Sequence, residues 1–228
     1  MIDRLLQLKE AYPLNENYKW KLPTMQFPIP IPGFVIPQGT PYQENVFLKE
    51  NLQHHFVPDM TLDLHYWVIR KWGGIRRFGM TATGEDHVNN QQRITDFGME
   101  LNEETLTRAS FQVLPSLSKV ASFQFPDRYA IYDSRSIFSL NWLIFRHWPD
   151  HQLFPQPPSR NTAIRNCDTT NLFAPRLPPL ERFGAYHYYC EMLRELSSEI
   201  YGDNRPFKME MLLFVVADTA IVNEIRNF

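Results

Sequence analysis

The stretch VLPSLSKVASFQFPDRYAIYDSRS, residues 113–136, carries the reading of the fold. It passes from a helix end into a turn at Pro115, then into a short helix with Lys119 in its first turns. Pro126 stops that helix, because a proline ring clashes with the preceding turn and removes a backbone donor. An apolar run, Tyr129-Ala130-Ile131-Tyr132, follows, and Asp133 stands where a carboxylate would cap the next helix. The order is helix, loop, helix, with no strand-turn-strand pattern.

The same punctuation continues outward. Downstream, DSRSIFSLNWLIFRHW extends the helix that Asp133 starts. Upstream, one helix is expected from near Asn102, where NEET resembles a capping pattern, to just before Pro115, and another over about Asp86 to Met99. TLDLHYWVIRKW places Leu64, Trp67, Val68 and Trp72 on helical spacing, with Asp59 or Thr61 as cap and Gly73-Gly74 as terminator. A helix over roughly Glu44 to Phe56 precedes it. Near the end, ERFGAYHYYCEMLRELSSEIY stops at Gly202. The stretch PFKMEMLLFVVADTAIVNEI then starts on Pro206, and its length and flanks make LLFVV a buried helix rather than a strand. The fold class is mostly α.

Prolines divide the chain. Of 18, seven lie at or before Pro41 and seven from Pro149 to Pro179. Six of the first group sit in KLPTMQFPIPIPGFVIPQGTPY, whose Phe, Ile and Val favour an extended segment lying on a core rather than a free linker. The expected organisation is a proline-rich N-terminal extension, 1–43, packed on a helical domain, 44–228, that carries an irregular insertion at 149–180.

Composition bounds the function. The chain has 228 residues, 43% of them hydrophobic and 21% charged, with a net charge of −2, which excludes global disorder and a generally basic nucleic-acid coat. No apolar run approaches the ~20 residues of a membrane span, and the N-terminus lacks the apolar region of a secretory signal. A cytoplasmic location, with no membrane partner, is the expectation. Two cysteines, Cys167 and Cys190, read as a loop thiol and a core thiol. His54-His55 and His147/His151 lack metal-ligand spacing, so no metal and no cofactor is expected.

The chemistry centres on Lys119 and Asp133. The positive end of a helix, with desolvation, disfavours an ammonium and lowers a lysine pKa from about 10.4, leaving an amine able to form a Schiff base. A carboxylate across a cleft would stabilise a sugar cation. The plain alternatives are a solvated helix lysine and a structural N-cap. Arg70, Lys71, Arg76 and Arg77 surround Gly73-Gly74 and suit a phosphate, or else complement a helix C-terminus. Arg128 and Arg135 flank the Asp133 motif as further phosphate candidates or structural bridges.

Leu114-Pro115, then Lys119 followed by Val120-Ala121-Ser122, then Asp133 after Ala130-Ile131-Tyr132, resemble the motif of the helix-hairpin-helix DNA glycosylase superfamily. The likeness is to its 8-oxoguanine glycosylase-like branch, in particular the small proteins of bacterial anti-phage defence operons. LHYWVIRKWGGIRRF and FKMEMLLFVV extend it. The resemblance implies a glycosylase-like helical fold, an N-glycosidic substrate in nucleic acid or another nucleobase-bearing target, Lys119 as nucleophile, Asp133 as its assistant, and defence-operon proteins as partners. Two features depart from the family. Ser116, Leu117 and Ser118 replace the hairpin glycines that bring backbone amides to a phosphate, and the Lys119-to-Asp133 spacing is several residues shorter. The alternative reading is a non-catalytic module that recognises nucleic acid, a nucleotide or a partner protein.

Overall fold

The computed structural model describes residues 1–23, 27, 31–56, 62–167, 169–174 and 182–228. The fold is mostly helical, and among the described residues the only β pairing is an isolated bridge between Met80 and Asp86. At its centre lies α7 (Leu114–Gln124), which is buried on almost every side. Leu117, Val120, Ala121 and Phe123 supply apolar contacts, while Ser116, Ser118 and Ser122 are small enough for neighbouring helices to come close. Each buried serine needs a partner: Ser118 accepts the amide of Tyr132 at 3.0 Å, and Ser122 donates to the Lys119 carbonyl at 2.9 Å.

Around α7 pack α3 (Pro41–Leu52) and the helix α4 (Asp63–Tyr66), which runs on as a π-helical turn, Trp67–Trp72. A second layer is α8 (Ser134–His147) against α12 (Pro206–Val216), with α11 (Arg182–Tyr201) on the other side of α12. Ser136 and Ser139, one turn apart on α8, donate to the carbonyls of Glu210 and Leu213, so these two helices touch backbone to side chain. As the pattern of LLFVV led one to expect, α12 is a buried helix, continued by a π-helical turn, Ala217–Ile221, and a last helix, Val222–Arg226.

One local expectation is revised. NEET does not start a helix: α5 (Asn90–Glu103) runs through it and ends at Glu104 in the left-handed region, φ 56°. The next helix, α6 (Arg108–Gln112), is capped by Thr107, whose hydroxyl accepts from Ser110 N. The Glu100 carboxylate takes Thr107 N and Oγ1, so the acidic run secures the turn between the two helices. Ahead of the stretch read as extended, α1 (Ile2–Ala11) and α2 (Leu14–Asn17) form helices with Leu5, Leu8 and Leu14 buried. Cys167 lies in the loop after the short helix Thr162–Arg165, where it is buried and donates to the Ala163 carbonyl, 3.4 Å away. The expected caps Asp59 and Thr61 lie outside the described residues, as do 175–181 at the end of the insertion.

Candidate functional site

Asp133 caps α8 as its position in the sequence suggests. Its Oδ1 accepts the amides of Arg135 (2.8 Å) and Ser136 (2.9 Å), which fixes the carboxylate at the positive end of the helix. The apolar run before it is held by side chains instead of a neighbouring strand. Tyr186 and Tyr189 of α11 donate to the carbonyls of Ala130 and Ile131, each at 3.0 Å. Cys190 Sγ accepts the Ala130 amide, and Ser118 accepts that of Tyr132. Every buried backbone polar group needs such a partner; here AYHYYC of α11 supplies most of them, which delivers Asp133 at a fixed height.

Lys119 lies in the second turn of α7 and is 8% exposed. Helical side chains lean toward the N-terminus, and Nζ curls back to donate to the Pro115 carbonyl at 2.6 Å. Its stem lies over the π-helical turn at Gly73, where a Cβ would come within 2.6 Å of Lys119 Cδ. Gly73 is therefore room for the lysine as well as a helix terminator. Burial pulls the Lys119 pKa down, opposed first by the Asp133 carboxylate and then by Glu210.

Three residues that sequence reasoning passed over join these two. Lys49 of α3 is fully buried, donates to Ser122 Oγ at 2.8 Å, and lies 4.6 Å from the Phe123 ring centre. Glu210 of α12 is 4% exposed and accepts from Ser136 Oγ at 3.3 Å. Burial shifts both toward their neutral forms, the Lys49 pKa downward and the Glu210 pKa upward. Tyr18, from the N-terminal segment, is raised by burial and by the nearby Glu210 and Asp133 charges. The signal for Glu210 was a lone acid inside PFKMEMLLFVV; Lys49 and Tyr18 had none, since each is flanked by ordinary helix or loop residues. Asn45 ties the N-terminal segment in place, donating to the Trp20 carbonyl (2.8 Å) and accepting from Trp72 Nε1 (2.7 Å).

The arginine candidates divide. Arg135 reaches Asp218 at 3.4 Å and lies over the Phe214 ring, on the helix that Asp133 caps. Arg70 stacks on Tyr66, donates twice to the Phe78 carbonyl and pairs with Asp86, so it braces the following loop. Lys71, Arg76 and Arg77 are exposed on the segment that Gly73 brings up to Lys119. Arg128 is exposed in the turn after α7, near the Tyr129 ring.

A cavity of about 860 Å³ lies beside the site. Phe111, Pro115, Tyr132, Asn141, Phe154 and Pro157 are among its walls. The insertion forms one side of it. Tyr132 Oη donates to the Pro155 carbonyl (2.8 Å), Gln156 to Ser134 O (2.7 Å), and Ser134 to Ser159 (3.2 Å). The wall includes the residue that takes the Lys119 head group and the one that precedes Asp133, whereas Lys119 and Asp133 themselves do not line it. No group of three or more metal-binding side chains occurs among the described residues, and no helix there is long and apolar enough to cross a membrane. No family model, curated protein or solved structure matches the chain.

Proposed function

We propose that the chain is a helix-hairpin-helix glycosylase-like protein that breaks the N-glycosidic bond of a nucleobase-bearing substrate, in the setting of bacterial antiviral defence. The observation that carries this reading is a buried lysine, whose ammonium is disfavoured, within electrostatic reach of a carboxylate held by two backbone amides at a helix start. Environments that push a lysine toward its free amine are typical of nucleophilic lysines. In the reaction, the Lys119 amine adds to the anomeric carbon. The carbon–nitrogen bond to the base breaks, and its electron pair leaves with the base, which takes a proton. Asp133 offsets the positive charge that develops on the sugar. Proton loss from the lysine nitrogen and opening of the sugar ring then give a Schiff base, which water hydrolyses. The aromatic cavity beside Pro115 and Tyr132 has the size and lining to hold a flat base.

One observation favours a narrower target than duplex DNA. The positions of the family's hairpin glycines are turned inward: Ser116 is 8% and Ser118 0% exposed, and Ser118 is engaged by Tyr132. The Ser116 and Leu117 amides donate to the Val113 carbonyl and so are not free for a phosphate, which supports a nucleoside, a nucleotide or an unpaired base as substrate. The same observation supports the second reading, a recognition module that binds such a unit without cleaving it. Release of free base from a panel of nucleosides, nucleotides and modified-base oligonucleotides, followed by chromatography, separates the two. The enzymatic reading expects release that Lys119→Gln abolishes and Asp133→Asn reduces by at least ~100-fold, the usual weight of such groups. Saturable binding with no release by the intact protein supports the module.

A further inference from the structure

Glu210 is a lone acid on a helix whose neighbours Met209, Met211, Leu212 and Leu213 are fully buried. Taking a carboxylate out of water costs several kcal/mol unless it is paired or protonated. A glutamine or methionine would fill the same space without that cost, so packing alone does not account for the residue. Among the described residues no cation lies within ion-pair distance of it; its hydrogen bond is to Ser136. Ser136 is also the residue whose amide holds Asp133 Oδ1. Lys49 mirrors this arrangement across α7: its Nζ donates to Ser122, and Ser122 donates to the carbonyl of Lys119. Each buried charge thus reaches one of the two site residues through one serine.

Resting on the reading above, we propose that Glu210 is a positioning residue of the Lys119/Asp133 site. Through Ser136 it holds the first turn of α8, and so the height and orientation of the Asp133 carboxylate. Through space it also bears on the charge of Lys119. The groups that act on it come from every neighbouring element: Lys49 on α3, Lys119 on α7, Asp133 and Ser136 at the start of α8, Tyr18 from the N-terminal segment and Tyr189 on α11. Glu210 and Asp133 both raise the Lys119 pKa against the effect of burial. Glu210 favours the Lys119 ammonium only in its ionised form, so removing the carboxyl group favours the free amine further while loosening the hold on Asp133.

The test is a pH titration of the full chain by NMR, with lysine carbon-13 labelled at Cε and the Lys119 signal assigned from its loss in Lys119→Gln. This readout needs no substrate. Glu210→Gln keeps the shape but replaces the carboxylate that accepts from Ser136 by a weaker, neutral acceptor. It is expected to retain the fold, to lower the Lys119 titration midpoint by about half a unit or more, roughly threefold in acid dissociation constant, and to cut base release about tenfold with the pH profile displaced to lower pH. Ser136→Ala, which keeps the Glu210 carboxylate, is expected to slow base release while shifting the midpoint less. A midpoint and a pH profile that do not move in Glu210→Gln overturn the proposal, even if the melting temperature falls, because that pattern belongs to a packing role. If Glu210→Gln does not fold, Glu210→Asp is titrated in its place, with the same midpoint shift, smaller in size, as support and an unmoved midpoint as refutation. Absence of base release by the wild-type protein defeats the glycosylase reading and leaves the midpoint to decide the coupling.

Discussion

Replacing Gly73 by alanine tests the packing of Lys119 with a single methyl group. Gly73 has φ −78° and ψ −8°, a conformation open to any residue, so the backbone raises no objection. The objection is space. The new Cβ would stand 2.6 Å from Lys119 Cδ, 2.8 Å from Lys119 Cε and 2.7 Å from the Ile69 carbonyl oxygen. The carbonyl belongs to the π-helical turn and has little freedom, so the lysine stem must move. Overpacking of this kind costs about 1–3 kcal/mol, and the reduced freedom of the unfolded chain returns roughly 0.4–1 kcal/mol. The net loss is about 1–2 kcal/mol, a drop of ~2–8 °C in melting temperature at ~2–4 °C per kcal/mol for a chain of this size. Gly74 is the control. It has φ +69° and nothing within 4 Å of its missing Cβ, so Gly74→Ala carries a left-handed strain of about 1–2 kcal/mol and does not touch Lys119. Thermal melting is expected to show similar losses for the two variants, while the Lys119 NMR midpoint shifts only in Gly73→Ala. Wild-type stability in Gly73→Ala, or an unmoved Lys119 midpoint, refutes the packing argument.

Two further outcomes follow from buried polar groups. Asn141 spans the backbone of Phe154, donating to its carbonyl at 2.9 Å and accepting its amide at 2.8 Å. Asn141→Leu leaves both orphaned, and urea denaturation should show a loss of about 2–4 kcal/mol, together with weaker base binding in the cavity; a loss under 1 kcal/mol would mean that the insertion is not held there. Burial lowers the His65 pKa to about 4, and its Nδ1 is buried without a partner among the described residues. Because the folded value is depressed, the stability is present above about pH 6.5 and is lost as pH falls toward 4, with about 2–3 kcal/mol at stake from a shift of that size. His65→Leu should flatten this acid loss in urea titrations at pH 7.5 and 4.5, and an equally steep loss in the variant would assign it to other groups.

Much of this arrangement is written locally. Pro115, Pro126 and Asp133 act through backbone rules that need no tertiary partner, which is why α7 and the start of α8 fall where the prolines and the aspartate indicate. NEET misleads for the same reason: Glu100 and Thr107 settle which helix the acidic run ends or begins, and they do so through a turn that periodicity does not reveal. The apolar run at 129–132 looks like a strand fragment, yet its partners are tyrosine hydroxyls and a thiol some 60 positions later in the chain. Lys119 and Asp133 are legible because a motif joins them. Tyr18, Lys49 and Glu210 come from three distant segments and meet only when α3, α7, α8 and α12 pack. The basic cluster at 70–77 divides once loop contacts exist, with Arg70 spent on Phe78 and Asp86 while Lys71, Arg76 and Arg77 stay exposed.

The proposed glycosylase chemistry requires that Lys119 attack a sugar carbon. Borohydride reduction during turnover of a modified-base substrate, followed by peptide mass spectrometry, reads that event directly. A sugar adduct is expected on Lys119, absent in Lys119→Gln and decreased in Asp133→Asn. Base release with no trapped adduct, and unchanged release in Lys119→Gln, would contradict it.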